Sequence, residues 1–288
     1  MTLPIYRHPS LTVLVDDSDT FLRSLAFQLD PELACKAFHN AHAALEWLRQ
    51  RLAPTEAPVA PHIDGIALDI EQIRRISGCV TRFLTPSVLV VDYSMPQMNG
   101  VEFCQALRGL PCKKILFTGA ADEKVAVDAF NRGLIDRYIK KSDDDALERL
   151  EAEIIAMQAA YFEGQSDPLR ELLAAHNFGF MSDPAVARLV RQLSSAHHIV
   201  EHYLHPSPAG IALHDRAGHV RLLAIETEGG MLAHYEVARD NDAPAALLLA
   251  LEERRVVPCF PNDGMYSNAC HDDWHRYCLP VQRCQGDQ

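Results

Sequence analysis

The 288 residues are 48% hydrophobic and 23% charged, the balance of a soluble globular chain of one large or two ordinary domains. The net charge is −12, all six lysines precede residue 142, and from Gln165 onward ten arginines stand against sixteen Asp and Glu, which argues against nucleic-acid binding by the C-terminal half. No apolar run approaches a membrane span, MTLPIYRHPS lacks a secretory leader pattern, and eight scattered cysteines point to reduced thiols, so the expected location is the cytoplasm.

The first half alternates short apolar runs with amphipathic stretches. Strands are expected at Leu11–Val15, Cys35–Phe38, Ser87–Val91, Lys114–Thr118 and Tyr138–Lys140. Helices are expected at Thr20–Leu29, Ala41–Arg51, Gly100–Arg108, Glu123–Arg132 and Asp144–Phe162. This alternation predicts an α/β fold: a five-stranded, parallel, doubly wound sheet of the flavodoxin type, with ligands bound beyond the carboxyl ends of the strands. Residues 53–86 interrupt the alternation. They open on the Pro/Ala-rich APTEAPVAP and continue in GIALDIEQIRRI, a short amphipathic helix, and are read as an insertion. In the fifth helix Leu147, Leu150, Ile154, Met157 and Tyr161 recur at heptad-like spacing. That seam covers the sheet in its first turns, and its later turns suit a linker or a homodimer contact.

After GQSDP the pattern changes. DPAVARLVRQLSSAHHIVEHYL reads as one helix with Asp183 as N-cap and Pro184 as its first residue. GIALHDRAGHVRLLAIET reads as a β-hairpin, MLAHYEVARD and PAALLLALEERR as helices, and RYCLPVQRC as a final strand. The expected organisation is a domain over 9–150, a helical linker over 151–164, and a smaller α+β domain over 165–288.

The chemistry gathers in the first domain. In "VLVVDYSMPQMNG" an apolar strand runs directly into Asp92, and in "VLVDDSD" another runs into Asp16 and Asp17. The first and third strands are neighbours in a doubly wound sheet, so three carboxylates meet at one edge. Unpaired, they would repel; a hard divalent cation bound by oxygens, Mg²⁺, is the natural partner. Thr118 in "ILFTGAAD" and Lys141 after "RYIK" reach the same edge with a hydroxyl and an ammonium. These are the donors that a phosphoryl group needs in transfer to a carboxylate.

This ordered set resembles the receiver (CheY-like) domain of two-component response regulators, over about residues 9–160. The resemblance implies that Asp92 accepts a phosphoryl group from a histidine kinase or phosphotransfer protein. It also implies that Asp17, Asp92 and the Ser94 carbonyl hold Mg²⁺, with Asp16 acting directly or through water. Thr118 would move to the phosphate and Tyr138 would follow as the aromatic switch. The sequence departs from the family in two places. Ser142 stands where receivers usually carry a cis-proline after the lysine, and residues 53–86 add a segment. Lys140 competes with Lys141 for the phosphate-binding role, and the spacing from Tyr138 favours Lys141.

Elsewhere, Cys259, Cys270, His271, His275, Cys278 and Cys284 are candidate zinc ligands, but no C-x₂-C pair occurs, and buried thiols with surface histidines are the simpler reading. His197, His198, His202 and His205 are placed on the helix above, without the HExxH order. The hairpin resembles a strand pair of PAS-type sensors over too short a stretch to name that family. No motif for a second-messenger enzyme follows residue 165. The output is therefore expected to be a non-DNA-binding regulatory or protein-interaction domain, with sensor, enzymatic and DNA-binding outputs as alternatives.

Overall fold

The computed structural model describes residues 2–52, 70–119, 123–175, 178–206, 208–259 and 273–282. The described residues of Arg7–Ala67 and Arg75–Leu169 form one compact unit. Those of Met1–Tyr6, Leu68–Arg74 and Arg170–Gln288 form another. No described helix is long and apolar enough to cross a membrane.

The first unit holds a sheet of strands β2 (Leu11–Val15), β3 (Cys35–Phe38), β4 (Pro86–Val91), β5 (Lys113–Thr118) and β6 (Arg137–Lys140) in the order β3-β2-β4-β5-β6. Every pairing is parallel. Successive side chains enter opposite cores. Val13, Val15, Leu89, Val91 and Leu116 face α2 (Ala41–Arg51), α4 (Gly100–Ala106) and α5 (Glu123–Asn131). Leu14, Val88, Val90, Ile115 and Phe117 face α1 (Asp19–Gln28) and α6 (Ala146–Ser166). Both faces of the inner strands β2, β4 and β5 are covered, which is why they are buried almost along their whole length; the edge strands β3 and β6 each keep an exposed position. Three helices start where polar caps stand: Ser18 accepts from Phe21 N–H, Asn40 from Ala43 N–H, and Asn99 forms a capping box with Glu102.

Residues 151–164, expected as a linker, are the body of α6. Ile154 and Met157 belong to the core against the sheet, and Phe162 packs edge-on against His8 with ring centroids 4.9 Å apart. Leu150 of the seam lies in the same core and Leu147 at its edge, while Tyr161 packs edge-on against Phe162. Of the expected insertion, α3 (Ile70–Gly78) and a 3₁₀ turn over Val80–Leu84 are described; residues 53–69 lie outside the described residues.

The second unit has a sheet in the order β1-β7-β8-β9, made of β1 (Tyr6–Arg7), β7 (Ile199–Pro206), β8 (Ala209–Asp215) and β9 (Val220–Ala224). The N-terminal strand was not expected: Leu204 N–H donates to the Ile5 carbonyl at 2.9 Å. Asp183 caps α8 (Pro184–His197) as read from the sequence. The helix stops at His198, which takes the left-handed conformation (φ 52°), and the chain turns into β7. His198, His202 and His205 are therefore not helical. The β-branched pair Ile199-Val200 suits a strand, and Glu201–Leu204 are buried in succession within it. The hairpin forms as β8–β9. Helices α9 (Glu228–Asp240) and α10 (Ala245–Glu252) share a core of Met231, Ala238, Leu247 and Leu251, beside the two-stranded β10 (Val256–Pro258) and β11 (Cys278–Pro280); a 3₁₀ helix, α7 (Arg170–Ala175) and a further 3₁₀ turn precede α8.

Of the candidate zinc ligands, Cys270, His271 and Cys284 lie outside the described residues. His275 sits in a 3₁₀ turn and Cys278 in β11, so they do not share a helix face. Among the described residues no three His, Cys, Asp or Glu side chains gather as a metal group.

Candidate functional site

Parallel pairing aligns Val15 with Val91, so the residues that follow, Asp16 and Asp92, emerge side by side. Their backbones are locked: Asp92 N–H donates to the Val15 carbonyl at 2.8 Å, and Asp16 N–H to the Phe38 carbonyl at 3.2 Å. Each carboxylate then uses one oxygen to close a local turn. Ser18 N–H donates to Asp16 Oδ1 at 2.9 Å, and Ser94 N–H to Asp92 Oδ2 at 2.7 Å.

The remaining oxygens share one cation. Lys141 Nζ lies 2.5 Å from Asp16 Oδ2 and 2.7 Å from Asp92 Oδ1. Its backbone N–H donates to the Thr118 carbonyl at 3.1 Å, which fixes the start of the side chain beside β5. Asp16 and Asp92 are 5% and 7% exposed, and the Lys141 side chain 21%. Buried carboxylates this close need a counter-charge; in the described structure the ammonium supplies it. Two negative charges against one positive leave the cluster net negative.

The other expected residues sort as follows. Thr118 is 1% exposed at the end of β5. Asp17 and Ser94 are exposed; among the described residues no third acidic side chain joins Asp16 and Asp92 in a metal-sized group, so the expected trio of carboxylates is a pair. Tyr138 is half-buried against the core beside α4 and α5. Lys140 pairs with Thr118 inside the sheet, so the next residue, Lys141, is the one whose ammonium reaches the carboxylates. The loop after Asp92 is held by Gly100 N–H, which donates to the Tyr93 carbonyl at 2.9 Å. A Cβ at Gly100 would lie 2.2 Å from the Asp92 carbonyl oxygen, so only glycine fits.

Phe21 was missed in the sequence. Lys141 Nζ lies 4.1 Å from the centroid of its ring and 5.9 Å from that of Phe117. Its signal was its place three residues after the Ser18 cap, within the first turn of α1.

The response regulator receiver domain family matches residues 71–151, a span that includes Asp92, Thr118 and Lys141 but not Asp16 or Asp17. The structure of the Legionella pneumophila response regulator LqsR is 33% identical to this chain, covering 100% of it and 88% of that chain, with a TM-score of 0.81. An adenylate cyclase structure from Rhodopirellula baltica is 23% identical over 58% of this chain and 98% of its own (TM-score 0.41). The Francisella response regulator 1452 receiver domain is 12% identical over 52% and 96% (TM-score 0.37). These last two carry no argument. No curated protein matches. A third of the residues are identical along the whole chain and the sheet is that of a CheY-like domain, so the chain belongs to the response regulators of two-component systems.

Proposed function

We propose that Asp92 is the phosphoryl acceptor of a two-component relay and that its phosphorylation switches the C-terminal unit. The observation that supports this best is the Lys141 ammonium lying on both Asp16 and Asp92 at the carboxyl edge of the sheet, next to Thr118. Asp92 Oδ1 attacks phosphorus. The new O–P bond forms as the bond to the donor breaks, and the donor, a histidine of a kinase or phosphotransfer protein, leaves with the electron pair. Lys141 then passes from the carboxylate to a phosphoryl oxygen, and the Thr118 hydroxyl donates to another.

The chemistry of the candidate donors suits Mg²⁺, because every one of them is oxygen. Asp17, Asp92 and the Ser94 carbonyl would hold it, with Asp16 bound directly or through water. When bound, it offsets the charge on the transferring oxygens. In the switched state Thr118 shifts toward the phosphate and Tyr138 turns inward, and the face of α5, β6 and α6 repacks. Tyr138 is at the edge of the core, where such a turn has room to begin. The acidic balance after Gln165 favours an output by protein contact rather than DNA binding, with homodimer formation as one form of it.

Wild type and Asp92→Asn are treated with a small phosphodonor and Mg²⁺, and intact mass and oligomer size are measured. The wild type gains one acid-stable, base-labile phosphoryl group and the variant gains none; equal gain by both would move the acceptor elsewhere. A salt-dependent DNA shift by the phosphorylated protein would replace the interaction reading of the output with a DNA-binding one.

A further inference from the structure

We infer that Phe21 is a positioning residue for Lys141, holding the ammonium at the acceptor carboxylate through its ring face. The inference rests on the reading of Asp92 as acceptor and Lys141 as its cationic partner. Two directions around the ammonium are taken by Asp16 Oδ2 at 2.5 Å and Asp92 Oδ1 at 2.7 Å. The Phe21 ring centroid lies 4.1 Å away, within the range in which a ring quadrupole attracts a cation, and partial burial strengthens that attraction. Phe117, 6.3 Å from Phe21 between centroids, lies further from Nζ at 5.9 Å.

The ring's place is built by the same turn that aims Asp16. Ser18 N–H donates to Asp16 Oδ1 at 2.9 Å, and Ser18 Oγ accepts from Phe21 N–H at 3.2 Å. One short segment thus orients a carboxylate and, one helical turn on, an aromatic face toward the same ammonium. Phe21 also packs at the edge of the core formed with α1 and α6. On transfer, Lys141 must leave Asp92 Oδ1 for a phosphoryl oxygen. A carboxylate is exchanged for that oxygen, but the contact with the ring face is not part of the exchange, so the ring keeps the amine near the reacting atoms throughout.

The test separates ring electrons from ring shape. Phe21 is replaced by mono-, di- and trifluorophenylalanine, which keep the shape and progressively weaken the face, and by Trp, Tyr and Leu. The rate of labelling by a small phosphodonor with Mg²⁺ is measured for each, with Asp92→Asn as control and the melting temperature recorded. The expected result is a stepwise fall of the rate along the fluorinated series, about three- to tenfold overall, at unchanged melting temperature. Tyr and Trp stay near wild type, and Leu falls with the trifluoro variant. A flat fluorinated series, or Leu equal to wild type, would overturn the role of Phe21 and leave the acceptor reading intact. Labelling of the Asp92→Asn control would overturn the acceptor reading itself, and this inference with it.

Discussion

The buried acids of the two units stand in different places. In the first, Asp16 and Asp92 stand just past the ends of neighbouring parallel strands, where loops rather than sheet surround them. In the second, Glu201, His202 and Tyr203 are buried inside β7. The Tyr203 hydroxyl donates to the Glu201 carboxylate, and the His202 ring lies 2.9 Å from the Pro4 carbonyl. A charge at a strand end keeps an open side where a ligand can bind. A polar group within a strand has sheet neighbours on both flanks, and its bonds serve the fold.

Removing the shared cation tests the first half of the contrast most severely. Lys141→Met should slow labelling by a small phosphodonor about 100-fold or more. It leaves two buried carboxylates facing each other, so stability falls by about 1–3 kcal/mol. Chemical denaturation with and without Mg²⁺ checks this, and Mg²⁺ should recover part of the loss. No loss of stability would mean that the ammonium is not the counter-charge.

Two glycines sharpen the comparison. A Cβ at Gly100 would lie 2.2 Å from the Asp92 carbonyl, and one at Gly210 would lie 2.2 Å from the Leu223 carbonyl. Both alanine variants should lose about 1–3 kcal/mol, because backbone must shift. Gly100→Ala should also slow labelling, since the loop carrying Ser94 moves. Gly210→Ala should leave the labelling rate unchanged, and a matching loss there would break the distinction. Tyr203→Phe removes one partner of buried Glu201 and should cost about 1–3 kcal/mol in thermal melts, again with labelling unaffected.

The smallest effect is at the tip of the β8–β9 hairpin. Burial alone would raise the Asp215 carboxyl, but hydrogen bonds from the His219 backbone and ring and from Arg221 outweigh it and bring it down to about 2. A folded value below the unfolded one of about 3.9 stabilises the hairpin fully above the unfolded value. That support is lost as pH falls from about 4 through about 2. NMR titration of the carboxyl carbon should place its midpoint near the lower figure; a midpoint near 4 would show that the turn does not hold the charge.

The receiver fold was legible because both faces of its sheet are covered. Val13, Leu14 and Val15 leave no polar position until Asp16, so an acid there stands out. Asp92 and Thr118 stand out for the same reason; Lys141 does not, since Arg137 and Lys140 of β6 are polar, and only its spacing from Tyr138 singles it out. The strand Ile199–Pro206 was not. Its histidines continue the spacing of α8, and the stop is a non-glycine residue in the left-handed region, which no residue type announces. Tyr6–Arg7 is too short to show a period, and its sheet lies nearly two hundred residues further on. Phe21 reads as an ordinary helix residue until the turn from Ser18 sets its ring beside an ammonium supplied from beyond residue 140.

Borohydride reduction of the wild type after small-phosphodonor treatment with Mg²⁺, followed by peptide mapping, tests the site most directly, because an aspartyl phosphate is converted to homoserine where it stands. The predicted result is homoserine at position 92 and aspartate unchanged at 16 and 17. Homoserine at another position, or none in a protein that has gained phosphoryl mass, would contradict it.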